Sequence, residues 1–329
     1  MRPRVYVTQP VAASVLERLR RVADVDLNPD PVHIVTKDEL LTAVRVHDIL
    51  FCLLHDKVDG DVIAANPKLR AVVSMKITPS DVDVAAATAR RIPVTVIPPM
   101  VGEATADIHM GLLIAVARRM VEGDRLARSG VFPGSQSSCL EAAGVSGKVI
   151  GLVGGGGRIG KAVARRAQGF SMKTIYWTPR RKPEAEERAA GIIYVPFEQL
   201  LAESDFVSVH APLTAETRHL ISERELRLMK RSAFIVNTAR GAIIDESALV
   251  RALAEGRIAG AGLDVFEDEP RVPAELLAMT NVVLTPHLGS AVRELRVEMA
   301  NIVVDNIFAV LEGRQPPNCW NPEIYAAPG

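Results

Sequence analysis

The segment Lys148-Val149-Ile150-Gly151-Leu152-Val153 passes without a break into Gly154-Gly155-Gly156-Gly157-Arg158-Ile159-Gly160, and this junction constrains the fold more than any other part of the chain. The first half reads as a buried strand. Gly155, Gly157 and Gly160 then match the spacing G-x-G-x-x-G, and residues 161–168 continue in a helical pattern. In a strand–loop–helix unit each glycine has a physical purpose. One makes a tight turn, one leaves room for a pyrophosphate against the backbone, and one lets helix pack closely on strand. The amides that open such a helix, here those of Arg158, Ile159 and Gly160, face the anion. The glycine spacing alone is common. The setting gives it weight.

Strand candidates at 148–153, 173–177, 192–195, 205–209, 233–236, 259–263 and 281–284 alternate with helical stretches, enough for a whole dinucleotide-binding sheet. A separate alternating region precedes them, with strand candidates at 5–7, 49–53, 71–74 and 94–97. Within it, Thr36 followed by Glu39 reads as a capping box opening a helix that ends near His47. Pro98-Pro99 ends that region, and one long helix is expected from about 103 to 123, with Ala106, Met110, Leu113, Ala117 and Met120 at helical spacing. Residues 129–147 are rich in Gly and Ser and read as a loop. The last segment puts Val292, Leu295, Met299, Ile302 and Val303 on one helical face. A chain of 329 residues is too long for one small core. The expected fold class is therefore α/β, with two doubly wound parallel-sheet domains: a Rossmann-type cofactor domain at 101–289 and a flavodoxin-like substrate domain made of 1–100 and 290–329.

The end of the strand after the glycine loop bears on the choice of dinucleotide. An NAD-selective site expects an Asp or Glu about 20 residues on, accepting from the ribose hydroxyls. Here Lys173-Thr174-Ile175-Tyr176-Trp177 leads instead into Thr178-Pro179-Arg180-Arg181-Lys182. No carboxylate stands there to repel a 2′-phosphate, and three cations stand ready for one, which favours NADP(H) over NAD(H). Glu184, Glu186 and Glu187 follow, so a solvated basic turn is the plainer alternative.

Charge narrows the remaining classes. The 39 basic and 39 acidic residues cancel, leaving no electrostatic footprint for nucleic acid or an anionic membrane. No apolar run approaches the roughly 20 residues needed to span a bilayer. Cys52, Cys139 and Cys319 are far apart and form no CxxC pair, which suits reduced thiols, and no metal is expected. A strand beginning at Val5 leaves no room for a signal peptide, so a cytoplasmic protein is expected.

Three further patterns lie at or near the ends of late strands, where open α/β sheets bind ligands. They are Val236-Asn237-Thr238-Ala239-Arg240-Gly241, Gly262-Leu263-Asp264-Val265-Phe266-Glu267-Asp268-Glu269-Pro270, and Leu284-Thr285-Pro286-His287-Leu288-Gly289-Ser290. With Glu103-Ala104-Thr105-Ala106-Asp107, and His210-Ala211-Pro212-Leu213-Thr214 followed by Thr217, they carry a likeness over nearly the whole chain. The chain resembles the D-isomer-specific 2-hydroxyacid dehydrogenase family, and within it the glyoxylate and hydroxypyruvate reductase-like enzymes.

The resemblance implies reduction of a small-molecule 2-oxo acid to its D-2-hydroxy acid, in a cleft between the two domains. His287 becomes the general acid-base, for which an imidazole titrating near neutrality is suited. Glu269 holds that ring and favours the imidazolium. Arg240 grips the substrate carboxylate and carbonyl oxygens, a role suited to a planar fork of donors. Asp264 orients the nicotinamide carboxamide, and Thr105 and Thr238 line the cofactor together with Thr178, Arg180, Arg181, His210, Pro212 and Thr217. The helix at 103–123 resembles the family's dimer contact, so a homodimer is implied. Glu267 stands two residues before Glu269 and competes for the same role; the family pattern places the acid just before the proline.

The likeness has departures. The glycine loop is one residue longer than the family's usual loop. The family's substrate loop reads Gly-Val-Gly, whereas Lys76-Ile77-Thr78-Pro79 stands here. Lys76, Ile77 and Thr78 are taken as substrate contacts, with Pro79 lacking a backbone donor. Phosphite dehydrogenases of the same superfamily also resemble the chain, through Gly289-Ser290-Ala291-Val292-Arg293 and a lysine near this loop, which makes phosphite oxidation one alternative. A dinucleotide-sensing, corepressor-like binding protein is the alternative from another class. A formate dehydrogenase is disfavoured, because that chemistry needs no carboxylate-histidine relay.

Overall fold

Strand formation follows burial. In a computed structural model, which describes residues 2–53 and 55–326, the all-apolar runs become parallel strands covered on both faces. The chain divides into two units. One ends at Met100 and resumes at Ala291; the other runs from Val101 to Ser290.

The first unit holds β1 (Arg4–Val7), β2 (Asp24–Leu27), β3 (Ile49–Cys52), β4 (Ala71–Ser74) and β5 (Val94–Thr95), in the order β2-β1-β3-β4-β5, all parallel. This is the flavodoxin-like winding, with its switch between β1 and β3. β2 was not expected from the sequence. Its Asp24 and Asp26 break the apolar pattern, which an edge strand with one partner tolerates. Thr36 and Glu39 do form a reciprocal capping box on the helix Lys37–Val44. The C-terminal helix Arg293–Leu311 buries Met299, Val303, Val304 and Ile307, and the chain then bridges Cys319 to Thr95 on the sheet's other edge. Val292, expected on the buried face, lies just before that helix and is exposed.

The second unit holds β6 (Val149–Val153), β7 (Lys173–Trp177), β8 (Ile193–Tyr194), β9 (Phe206–Val209), β10 (Phe234–Asn237), β11 (Gly260–Leu263) and β12 (Val282–Leu284). They run parallel in the order β12-β11-β10-β9-β6-β7-β8, so strand order reverses between β6 and β9. Alternation along each strand feeds two cores: Ile235, Val207 and Val153 face one side, and Phe234, Val236 and Leu152 the other.

The expected single helix at 103–123 is instead two. Gly102–Ala117 buries Ala106, Met110, Leu113 and Ala117 as the pattern requires. Arg119 then takes a left-handed backbone (φ 50°), and a second helix, Met120–Arg128, buries none of its side chains. Met120 is accordingly 56% exposed rather than buried. The break is carried by Arg119, whose guanidinium is bidentate on Glu122 at 2.9 and 2.6 Å. Neither Gly nor Pro marks it in the sequence.

Candidate active site

The glycine loop fits a dinucleotide in detail. Gly154 has φ +83° and packs against the start of Ala211, where a Cβ would lie 2.5 Å from the backbone nitrogen; this seats the loop between β6 and β9, at the reversal of strand order. Gly160 lies against Gly155, where a Cβ would come within 2.6 Å of the Cα. Gly160 is thus the close-packing glycine, and Gly155, Gly157 and Gly160 are the register of the motif. Gly157 is the N-cap of the helix Arg158–Gly169 and brings no side chain to cap it. A helix N-terminus whose N-cap residue carries no side-chain oxygen, at the carboxyl end of the first strand, suits a pyrophosphate.

At the end of β7 the three cations have separate fates. Arg181 is bidentate on the buried carboxylate of Glu187, at 2.9 and 2.8 Å, which also accepts from Tyr176 Oη at 2.7 Å. These partners hold the Glu187 carboxyl at about 2, and burial with Glu187 beside it pushes the Tyr176 phenol up to about 12. Arg181 is therefore a strut of the turn, and the expectation of a third cation ready for a phosphate is corrected. Glu187, which read in the sequence as part of a solvated run, is the buried member of the pair. Lys182 lies across the glycine loop, its stem within 2.9 Å of a Cβ built on Gly156. Arg180 is exposed, and among the described residues no carboxylate pairs with its guanidinium. Thr178 Oγ1 donates to the Arg180 carbonyl at 2.7 Å and so shapes the turn. Thr217 does the same for the stretch after β9: its Oγ1 donates to the Pro212 carbonyl at 2.6 Å and accepts from the Thr214 amide at 2.7 Å.

The carboxyl ends of β10, β11 and β12, adjacent in the sheet, carry the residues expected to do chemistry. His287 Nδ1 is 2.8 Å from Glu269 Oε2, with side chains 26% and 20% exposed. Glu267 is engaged elsewhere, accepting from Arg218 at 2.7 Å and from His219 Nε2 at 2.8 Å. The two neighbouring acids are therefore distinguished by geometry. Asp264, buried, organises the His287 turn. Its carboxylate accepts from Thr285 Oγ1 at 2.6 Å and from the amides of Leu288 and Gly289 at 2.7 and 3.0 Å. His287 itself takes a left-handed backbone (φ 54°), a conformation its surroundings must impose. Thr105 Oγ1 donates to the carbonyls of Val101 at 2.9 Å and Gly289 at 3.2 Å, tying its helix to the same turn.

Arg240 is exposed and donates to the Ala239 carbonyl at 2.6 Å. Gly241 packs against the backbone of Phe266 and Glu267, within 2.3 Å of a built Cβ, so the Arg240 loop lies directly on the loop that leads to Glu269. In the other unit, Lys76 is largely buried and forms an ion pair with Asp81, while its amide donates to Ser74 Oγ at 3.2 Å. Ile77 is partly exposed and Thr78 exposed in the same turn.

The sequence reading did not single out His109, Ser208 or Glu187. His109 lies in register with the buried Ala106, Met110 and Leu113 of its helix, a core position that is the one signal that could have marked it. It is buried, with Nδ1 3.0 Å from Thr238 Oγ1.

With this geometry in view, the comparisons with known proteins are specific. Residues 110–289 match the family model described as D-isomer specific 2-hydroxyacid dehydrogenase, NAD binding domain. The chain belongs to this family and is an NAD(P)-dependent oxidoreductase. It is 45% identical to a glyoxylate reductase of Thermococcus litoralis, covering 99% of each chain. Among solved structures, a Thermus thermophilus protein is 42% identical with a TM-score of 0.87, covering 96% of this chain and 99% of that one. An NADPH-dependent glyoxylate/hydroxypyruvate reductase of Sinorhizobium meliloti, solved with citrate, is 32% identical with a TM-score of 0.77, covering 97% of each. Among the described residues no helix is long and apolar enough to cross a membrane.

Proposed function

We propose that this chain reduces a short 2-oxo acid, glyoxylate or hydroxypyruvate first, to the D-2-hydroxy acid with NADPH. The observation that carries the reading is the His287–Glu269 pair, on loops at the same end of the sheet as Arg240, which no carboxylate of the described residues neutralises. The named activities of the Thermococcus and Sinorhizobium relatives support the choice of substrate and, for the second, of cofactor.

The bound dihydronicotinamide supplies the hydride. Around it the protein's own groups bind, orient and move one proton. Glu269 occupies Nδ1 of His287, so exchange with the carbonyl oxygen falls to Nε2: donation in reduction, acceptance in the reverse reaction. The Glu269 carboxylate fixes the ring and stabilises the imidazolium form, the part an orienting acid plays behind a catalytic imidazole. Arg240 holds the substrate carboxylate, which its planar donors match better than a lysine does. Asp264 fixes the turn from which His287 projects. The amides of Arg158, Ile159 and Gly160 would hold the pyrophosphate, and Arg180, with Lys182 near it in the chain, would meet the 2′-phosphate. In the other unit, the turn Lys76-Ile77-Thr78 is the proposed substrate contact. A homodimer belongs to the same reading, through the 103–123 segment, at whose end Met120 is exposed on a helix that buries none of its side chains.

The test is loss of nicotinamide absorbance with NADPH or NADH and glyoxylate, hydroxypyruvate, pyruvate or phenylpyruvate, with the reverse reaction on phosphite alongside. Faster oxidation of NADPH with glyoxylate or hydroxypyruvate is expected. Turnover with phosphite and none with any 2-oxo acid would overturn the assignment.

A further inference from the structure

A row of neutral side chains runs through the interior of the larger unit and ends at Thr238, the residue that follows β10. His109, from the helix Gly102–Ala117, places Nδ1 3.0 Å from Thr238 Oγ1 and Nε2 against Ser208 Oγ. Ser208 Oγ is also 3.2 Å from His210 Nε2, and the two imidazole rings lie 4.6 Å apart, centroid to centroid. At the far end, His210 Nδ1 is sealed from solvent with no hydrogen-bond partner among the described residues. Burial pushes both imidazoles down, His210 to about 3 and His109 well below its ordinary range, so each ring carries one proton at neutral pH.

Those protons can be arranged in few ways. If His210 carries its proton on Nδ1, a buried N–H has no acceptor, and orphaned buried N–H groups are rarer than under-used acceptors. If both rings donate to Ser208, the serine proton has no acceptor in the row. One arrangement leaves only a lone pair unused. His210 Nε2–H donates to Ser208, Ser208 donates to His109 Nε2, and His109 Nδ1–H donates to Thr238 Oγ1. The Thr238 proton then points away from the row and must find its acceptor elsewhere.

We infer that His109 is a positioning residue for the dinucleotide: the row His210–Ser208–His109–Thr238 has a single polarity, which dedicates the Thr238 hydroxyl as a donor to an acceptor oxygen of the bound cofactor. The inference rests on the reading that Thr238 lines the cofactor. Its chemistry is selective in one respect. Because the His109 Nδ1–H takes one lone pair of the oxygen, the hydroxyl proton is not spent within the row and is turned outward to donate.

Two measurements test it on the full chain. Long-range proton–nitrogen NMR spectra of the unliganded, 15N-histidine-labelled protein report the tautomers directly. A proton on Nε2 of His210 and on Nδ1 of His109 is expected; a proton on Nδ1 of His210 overturns the polarity. Calorimetric titration with NADPH then compares His109→Leu with His109→Asn, whose amide N–H can stand near the Nδ1–H position. The leucine variant is expected to bind about tenfold more weakly, the loss of one well-placed hydrogen bond, and the asparagine variant within about threefold of wild type. Equal affinity of the leucine variant and wild type overturns the role, and so does equal weakening in both variants with unchanged melting temperature. Neither readout needs turnover. Failure to reduce any 2-oxo acid would sink the proposed reaction and leave these results standing.

Discussion

Nδ1 of His287 lies 2.8 Å from Oε2 of Glu269, while the other oxygen of the same carboxylate, Oε1, accepts the Phe266 amide at 3.1 Å. The acid is thus held by its own loop at one oxygen and holds the imidazole with the other. Replacing Glu269 by Gln keeps the shape and removes the charge that favours the imidazolium. We expect turnover to fall about 10²-fold, with the variant still binding NADPH. Glu267→Gln, two residues earlier, is expected to stay within about threefold of wild type, because Glu267 serves Arg218 and His219. Steady-state rates with glyoxylate decide the matter. Equal losses in the two variants would contradict the assignment of Glu269 as the partner of His287.

Much of this was legible in the sequence, for physical reasons that also mark where legibility stops. Strands buried on both faces are mostly apolar, so the inner strands of the larger sheet could be read from their apolar runs. β2 could not, because an edge strand admits Asp24 and Asp26. The residues proposed to carry the chemistry lie after late strands, where Arg240, Glu269 and His287 stand out by motif. Tertiary pairing leaves no such mark. Ser208 and His109 meet across 99 positions of sequence, and although His109 stands at a core position of its helix, nothing in either segment names the other as its partner. Arg181 and Glu187 are only six residues apart, yet the basic run Arg180-Arg181-Lys182 reads as one patch until the structure shows its middle member spent on a buried carboxylate.

That division of the basic run predicts a separation of effects. Arg180→Ala is expected to lower the preference for NADPH over NADH by about tenfold, the loss of one charge-assisted contact to a phosphate. Arg181→Ala leaves the Glu187 carboxylate buried without its cation, so it is expected to lower the melting temperature while leaving the NADPH/NADH ratio of kcat/KM within about threefold. Comparing that ratio in the two variants, with thermal denaturation of both, is the check. A collapse of selectivity in Arg181→Ala alone would mean that the strut, not Arg180, reads the cofactor.

The desolvated imidazoles of His109 and His210 make stability sensitive to acid. In the unfolded chain a histidine titrates near 6.5, whereas burial depresses His210 to about 3 and His109 well below its ordinary range. Between those limits the unfolded chain binds protons that the folded chain refuses, so acidification favours unfolding. Stability is expected to drop as pH falls through the range from 6.5 toward 3, by up to about 1.4 kcal/mol per pH unit for each ring. The paired carboxylates act in a lower window: Glu187, held at about 2, loses its contribution only as pH falls below 4.5. Urea denaturation midpoints between pH 7 and 5 therefore isolate the histidines. The slope should shrink in His109→Leu, and an unchanged slope would show that this ring is not buried neutral.

Arg240 offers a test of geometry as distinct from charge. Its guanidinium is exposed, rests on the Ala239 carbonyl at 2.6 Å, and springs from a loop whose Gly241 is pressed on the Phe266–Glu267 backbone. Arg240→Lys keeps the positive charge but loses the planar pair of donors that a carboxylate engages together. If the residue only raised the local concentration of anions, lysine would serve nearly as well, and KM for glyoxylate would move by less than about threefold. A bidentate grip predicts more: KM raised about tenfold and kcat lowered as well, because a substrate held at one point no longer presents its carbonyl oxygen steadily to His287. Binding of NADPH should change little in either case, since the proposed pyrophosphate loop follows β6 and the proposed phosphate contact Arg180 follows β7. A lysine variant with wild-type kcat and KM would reduce Arg240 to a diffuse charge and return the substrate anchor to the turn at Lys76.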